Sequence, residues 1–227
     1  MNLEMLEEEK RSAAIASSKL LKDGMLLGLG TGSTVKFLIE EIGNLINEKG
    51  WSISCVPTSR SSEKLAREKG IEIVENPDRK LDLDIDGADE ADSYGNLIKG
   101  GGGALTREKI VAVNSRKVCI IIDHSKYCPD GLGKFRLPVE VLPFMSYATA
   151  ENIKSMGASV AFRDGGKFVT DNGNLILDCD FGIIKEPQNL EIKLKAVPGV
   201  VEVGLFCGIA DLIIMGTGSG TREIFRK

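Results

Sequence analysis

Met25-Leu26-Leu27-Gly28-Leu29-Gly30-Thr31-Gly32-Ser33-Thr34-Val35 sets an apolar run against a glycine-rich turn, and the apolar spacing from Val35 to Ile46 is helical. A buried strand over Met25–Leu29, a tight loop and a helix, in that order, begin a βαβ unit. The same rhythm extends outward. A helical pattern over Ala13–Leu21 precedes it, Ile53–Val56 reads as the next strand, Ser61–Lys69 as a helix and Ile71–Val74 as a short strand. In Leu81-Asp82-Leu83-Asp84-Ile85-Asp86 apolar and acidic residues alternate. That is the period of a strand delivering Asp86 at its C-terminal end, with Asp82 and Asp84 as a solvated face. A helix over Ala104–Asn114 and the β-branched run Val118–Ile122 follow. Strands joined by helices predict an α/β fold with a Rossmann-like, doubly wound, mainly parallel sheet, whose ligands gather at strand C-termini.

After Gly133 the rhythm changes. A short strand lies between Pro138 and Pro143, then a helix over Ala148–Met156 and a strand over Val160–Arg163. Phe168–Thr170 and Leu175–Cys179 flank Asn172-Gly173, a pair suited to the positive φ angles of a tight hairpin. A helix over Pro187–Ala196, the turn Pro198-Gly199 and a strand over Val200–Phe206 complete a smaller α+β, ferredoxin-like unit. Leu212–Met215 returns to the first sheet. The expected division is a catalytic domain of residues 1–132 plus 207–227 and a small domain of residues 133–206 that serves oligomerisation.

With 227 residues, 42% of them hydrophobic, the chain can bury a substantial core. Its net charge of -4, with 29 basic residues spread throughout, leaves no electrostatic footprint for nucleic acid or an anionic membrane. The apolar runs are too short to span a bilayer, and the acidic stretch Met1–Arg11 lacks the pattern of a signal peptide. Cys55, Cys119, Cys128, Cys179 and Cys207 lie far apart without a Cys-x-x-Cys pair, which argues against a zinc site and a disulfide framework. The expectation is a cytoplasmic protein whose partners are small molecules and further copies of itself.

Gly28 to Thr34 presents backbone N–H groups and hydroxyls at a helix N-terminus, where an anion is favoured. No Gly-Lys-Ser/Thr follows, and Ser33 occupies the third glycine position of the dinucleotide fingerprint, so a phosphate monoester fits better than ATP or NAD. The similar Gly216-Thr217-Gly218-Ser219-Gly220 shows how little such a loop decides alone. Asp82-x-Asp84-x-Asp86-Gly87 copies half of a calcium loop and then fails, because Ser93 stands where a bidentate Glu is required; Asp89, Glu90 and Asp92 are a weak set for Mg²⁺. No metal is expected.

Asp86-Gly87-Ala88-Asp89-Glu90 and Lys99-Gly100-Gly101-Gly102-Gly103-Ala104-Leu105-Thr106-Arg107-Glu108-Lys109 bring acids, a base and an ammonium within a short stretch. Glu108 shares a helix face with Ala104, Leu105, Val111 and Ala112 and so points inward, either as an ion-pair partner of Lys99 or as a functional base. His124, the single histidine, reads as exposed or locally hydrogen-bonded. Lys10 and Lys126 are surface lysines unless the fold brings them near Thr31 to Thr34.

Together with Ser125-Lys126, Gly133 to Val141, Thr170 to Asn174 and Pro198 to Phe206, these motifs in their order and spacing closely resemble the A-type ribose-5-phosphate isomerases over nearly the whole chain. The resemblance implies interconversion of D-ribose 5-phosphate and D-ribulose 5-phosphate in the non-oxidative pentose phosphate pathway, with no metal or organic cofactor. It implies Glu108 as the catalytic base. Thr31, Gly32, Ser33 and Thr34 would bind the substrate's phosphate end, with Lys126 and Lys10 nearby. Asp86, Gly87, Ala88, Asp89, Lys99, Gly100, Gly101 and Gly102 would surround the sugar. It further implies a homodimer or higher homo-oligomer and gives His124 no role. Aldose–ketose exchange moves a proton between C2 and C1 through an enediolate, work suited to one carboxylate, with Lys99 and the N–H groups of Gly100 to Gly102 holding the developing charge. Ring opening would fall to Asp86, Asp89 or Lys99. A sugar-phosphate-sensing regulator would need a helix-turn-helix, for which the residues before Met25 are too few. A deaminase or lactonase of similar fold would usually need catalytic histidines.

Overall fold

In this computed structural model residues 3–226 are described. In chain order the elements are α1 (Leu3–Ser18), β1 (Leu26–Leu29), α2 (Ser33–Lys49), β2 (Ser54–Pro57), α3 (Arg60–Glu68), β3 (Glu72–Ile73), β4 (Leu83–Asp86), β5 (Glu90–Ala91), β6 (Leu97–Ile98), α4 (Leu105–Val113) and β7 (Val118–Asp123). There follow β8 (Leu137–Val141), α5 (Ser146–Lys154), β9 (Ser159–Phe162), β10 (Leu175–Asp180), α6 (Pro187–Lys195), β11 (Val200–Val203), β12 (Leu205–Phe206), β13 (Leu212–Thr217) and β14 (Gly220–Phe225).

β1 is buried along its whole length, as a central parallel strand covered on both faces must be. It sits in a sheet of order β3-β2-β1-β4-β7-β13-β14, parallel except for the β13–β14 pair. On α2, Val35, Leu38, Ile39, Ile42 and Leu45 form one apolar stripe, and the helix stops at Gly50, whose φ of 67° places it in the left-handed region. That stripe, with Ala13 and Ala14 of α1, packs on Leu27, Leu29, Ile85 and Ile121 of the sheet. Leu105 and Ala112 of α4 share a second core with Ile120, Ile122, Phe206 and Ile213. Residues 137–203 build an antiparallel sheet of order β11-β8-β10-β9 from a β-α-β-β-α-β succession. A small sheet, β12-β6-β5, lies apart from both.

The structure corrects several expectations. Phe168–Thr170 is not a strand: Asn172 and Asn174 donate their backbone N–H groups to the Thr170 hydroxyl, so the segment closes on itself as a turn. β10 pairs instead with β8 and β9. The run Val200–Phe206 breaks at Gly204, whose N–H donates to the Pro138 carbonyl while its own carbonyl accepts from Lys99 N–H, carrying the chain from one sheet to another. Continuous apolar residues concealed that change of partner. β14 is mostly exposed and lacks an apolar signature; Gly216 to Gly220, which resembled an anion loop, is the end of β13 and the tight turn into β14.

Asp84 is not on a solvated face. It is 1% exposed, and a Cβ on Gly28 would lie 2.6 Å from its Oδ1, so the missing side chain of Gly28 makes its room. Burial, then Asp86, push its pKa well above the usual carboxylate range, against the pull of Lys99. Asp82 is partly buried, accepting from Leu26 N–H at 2.9 Å and pairing with Arg79.

Candidate active site

β1 has β2 on one side and β4 on the other, so the chain winds outward in opposite directions from this pair, and a crevice opens beyond their C-terminal ends. The loops leaving β1 and β4 border a cleft of about 370 Å³ there. Thr31, Gly32, Ser33 and Thr34 line it from the first loop and Gly87, Ala88 and Asp89 from the second. Lys99, Gly100, Gly101, Gly102 and Glu108 form another wall, and Lys10 of α1 and Lys126, just after β7, reach it from farther along the chain. Asp86 stands apart from these. It is 1% exposed and does not line the cleft.

Beneath the floor lies a charge cluster. Lys99 Nζ is 2.9 Å from Asp86 Oδ2 and 3.5 Å from Glu108 Oε2, and it donates to the Gly87 carbonyl. Thr31 and Gly87 donate their backbone N–H groups to Asp86 Oδ1, which locks that carboxylate to both loops. Burial works against the Lys99 ammonium, but Asp86 and Glu108 more than offset it and raise its pKa. Burial pushes Glu108 up to about 8 despite the pull of Lys99, with further pushes from Asp86 and Asp89. Glu108 is thus paired with Lys99 and sits at a cleft with its pKa raised toward neutrality, a placement compatible with either reading.

Lys99 opens the glycine-rich loop. Arg163 Nη1 donates to the carbonyls of Gly100 (2.8 Å) and Gly101 (3.0 Å), and its guanidinium is held in turn by Asp178. In a trans peptide the N–H points opposite the C=O, so this grip turns the Gly101 and Gly102 N–H groups away from Arg163. Gly101 N–H donates to Asp89 Oδ2 at 2.7 Å, and a Cβ there would lie 2.4 Å from the other Asp89 oxygen. The expectation that all three N–H groups of Gly100 to Gly102 face the substrate is thus corrected: the Gly101 donor already serves Asp89. Burial raises the Asp89 pKa, opposed by that hydrogen bond and then by Lys99.

At the other end of the cleft, α2 begins at Ser33 with Gly32 before it, so a long helix presents its N-terminus there. The Thr31 hydroxyl does not reach freely into the space; it bonds with Thr58 and Ser59, both at 2.8 Å. Ser62 completes this cluster, donating to the Gly30 carbonyl at 2.6 Å. The hydroxyl run Thr58-Ser59-Arg60-Ser61-Ser62 directly after a strand was the available signal for it. Ser125 and Leu6 also line the cleft without having been anticipated. His124 Nδ1 lies 2.6 Å from Glu9 Oε2, a hydrogen bond to the first helix 115 positions away and not to a neighbour in the loop.

Among the described residues no group of three His, Cys, Asp or Glu is placed to hold a metal ion, and no helix is long and apolar enough to cross a membrane. Glu90 accepts from the N–H groups of Gly133 and Phe135, and Asp92 from those of Tyr94 and Asn96. Both Glu90 oxygens and Asp92 Oδ1 are occupied by these backbone donors, and Asp92 Oδ2 accepts from the Asn96 side-chain amide.

A family model described as ribose 5-phosphate isomerase A (phosphoriboisomerase A) matches residues 54–220. A ribose-5-phosphate isomerase A of Picrophilus torridus is 51% identical over 220 residues, covering 97% of this chain and 99% of its own. One of Thermoplasma volcanium is 50% identical over 217 residues, covering 94% and 90%. Among solved structures, ribose 5-phosphate isomerase A of Methanocaldococcus jannaschii superposes with a TM-score of 0.91 at 38% identity, covering 96% of this chain and 99% of that one. A D-ribose-5-phosphate isomerase in complex with phospho-erythronic acid superposes with a TM-score of 0.93 at 38% identity over 100% of both chains.

Proposed function

The chain belongs to the ribose 5-phosphate isomerase A family, and from that premise we propose that Glu108 is the base that carries a proton between C2 and C1 of the sugar phosphate. The reaction is the interconversion of D-ribose 5-phosphate and D-ribulose 5-phosphate. The observation that carries the assignment of the base is a buried carboxylate, raised to about 8, at the wall of the cleft and 3.5 Å from a buried ammonium. A carboxylate so placed accepts a carbon-bound proton at neutral pH more readily than an ordinary glutamate. Lys99, with N–H groups of the glycine loop, stabilises the oxygen charge that grows as the C–H bond breaks. Phospho-erythronic acid, bound by a structural relative, combines a carboxylate with a phosphate on a short polyol; that pairing of negative oxygens resembles the enediolate of this reaction.

Ring opening falls to Asp89 or Lys99, which face the cleft, while Asp86 acts from beneath by fixing Lys99. The phosphate is read by the α2 N-terminus, Ser33, Thr34, Lys126 and Lys10. Residues 133–206 form the smaller domain, and its exposed Leu142, Phe144, Met145 and Tyr147 support self-association as a homodimer or higher homo-oligomer. The five unpaired cysteines support a reducing, cytoplasmic setting.

Isomerisation of ribose 5-phosphate by the purified protein tests the function directly. Lys126→Ala is expected to raise KM by about 10-fold or more with a smaller change in kcat, because a charge-assisted phosphate contact is lost. Free ribose should be a very poor substrate, since phosphate binding positions the reacting carbons. Equal kcat/KM for ribose and its 5-phosphate would remove the phosphate assignment. Activity is also expected to survive exhaustive chelation, because the cleft's carboxylates are engaged by Lys99 and backbone donors. Loss in EDTA that one added divalent metal restores would contradict this.

A further inference from the structure

At the start of α4, neighbouring residues turn to different partners, and Glu108 alone among Thr106 to Lys109 lines the cleft. Lys109 is held on the opposite flank by Glu191 at 2.6 Å, Glu202 at 2.9 Å and the Val203 carbonyl at 2.8 Å. Arg107 donates to Asn172 Oδ1 at 2.8 Å. Thr106 donates its hydroxyl to Glu140 Oε2 at 2.5 Å. The antiparallel unit therefore grips this helix through 106, 107 and 109, and residue 108 is left to serve the large sheet.

Glu140 is the unusual member of that grip. It lies on β8, wholly buried, and its four donors are all neutral. Oε1 accepts from the Thr170 hydroxyl (2.8 Å), Asn174 Nδ2 (2.8 Å) and Asn172 Nδ2 (3.2 Å), which leaves Oε2 to Thr106. A carboxylate is acceptor-only, so donors converging on it have little freedom to exchange roles, and bonds to an ionised acceptor are the strong ones. Thr106 and Glu108 share the first turn of a hydrogen-bonded helix. A rotation or shift at the one is passed to the other.

We propose that Glu140 is a positioning residue for the isomerisation: acting through the Thr106 hydroxyl, it sets the rotation and height of α4 that place the Glu108 carboxylate against the reacting carbons. This rests on Glu108 being the base. The chemistry needs such a hold, because displacement of a reacting group by about 1 Å can cost on the order of 100-fold in rate. The turn Thr170 to Asn174 acquires a purpose in the same way: it supplies three of the four donors and so completes the pocket that orients Glu140.

Thr106→Val and Thr106→Ser separate positioning from mere packing. Valine keeps the shape and removes the donor, so kcat should fall about 10- to 100-fold while KM stays within about 2-fold, and serine should restore kcat. A thermal melt establishes that each variant is folded; if valine is not tolerated, Thr106→Ala, which leaves space for water at Glu140, is read in the same way. A folded valine or alanine variant with wild-type kcat, a loss confined to KM, or a loss that serine does not restore would overturn the proposal. Failure here is distinct from failure of the base assignment: an inactive Glu108→Gln beside a fully active Thr106→Val removes only the role of Glu140.

Discussion

Glu108→Gln is expected to fold and to lose turnover by about 10²- to 10⁴-fold, toward the upper end because one carboxylate serves both half-steps. The variant keeps the shape and one acceptor and removes the group able to take the C2 proton. Solvent deuterium should enter the isomerised carbon during wild-type turnover and not in the variant. The pH dependence carries a second signature. Glu108 must be ionised to act, and burial raises it from 4.5 to about 8, so the acid limb of wild-type kcat/KM should lie well above the range of an ordinary glutamate. Folding stability follows with the opposite sense. Between those values the folded protein holds a proton that the unfolded chain has released, so this group's contribution is lost as pH rises toward 8. Glutamine removes that slope. A folded Glu108→Gln that keeps most of its rate would pass the role of base to Asp89, which lines the cleft and, unlike Asp123, borders the glycine-rich loop.

Much of this could be read from the chain because local pattern and global topology agree where the site is built. The strand–glycine–helix succession at Met25 to Ile46 requires a parallel neighbour, and the Leu81 to Asp86 alternation supplies it; together they place both loops at one sheet edge. What local pattern could not give was partnership at a distance. Asp84 has the alternation of an exposed acid, and only the packing of α4 over β4, with Val111 and Gly28 beside it, shows it to be enclosed. Val200 to Phe206 keeps its apolar character across Gly204 while changing sheets, a break visible only through Pro138 and Lys99. Asp86 was grouped with the residues around the sugar by the family resemblance. Its oxygens are instead taken by Thr31, Gly87 and Lys99, so its chemistry is exerted through those partners.

Lys99→Met should abolish useful activity and leave a protein whose stability is sensitive to pH. Lys99 and the three acids Asp84, Asp86 and Glu108 are all nearly inaccessible, and its ammonium pairs directly with Asp86 and Glu108. Removing one partner of a buried ion pair typically costs about 3–5 kcal/mol, since the remaining charge is left uncompensated. Methionine fills the space against Phe206 but supplies no charge. Lys99 is also the chief group lowering Glu108, so without it the Glu108 pKa should climb further and the acid limb of kcat/KM should move to still higher pH. The loss of oxyanion stabilisation adds to this, and removing one such donor costs about 10²- to 10³-fold in acyl-transfer enzymes, whose transition states also carry charge on oxygen. The sign of the stability change follows from the raised acids. Glu108 and Asp84 take up protons in the folded state before the unfolded chain does, so acidification should favour the folded variant. Urea titrations at about pH 8 and about pH 5.5 should therefore show the Lys99→Met protein gaining stability at the lower pH, where folded carboxyls are neutral and unfolded ones are still ionised. A Lys99→Met protein that loses stability on acidification over this range would mean that these acids stay ionised without Lys99, and the electrostatic account of the cluster would have to be abandoned.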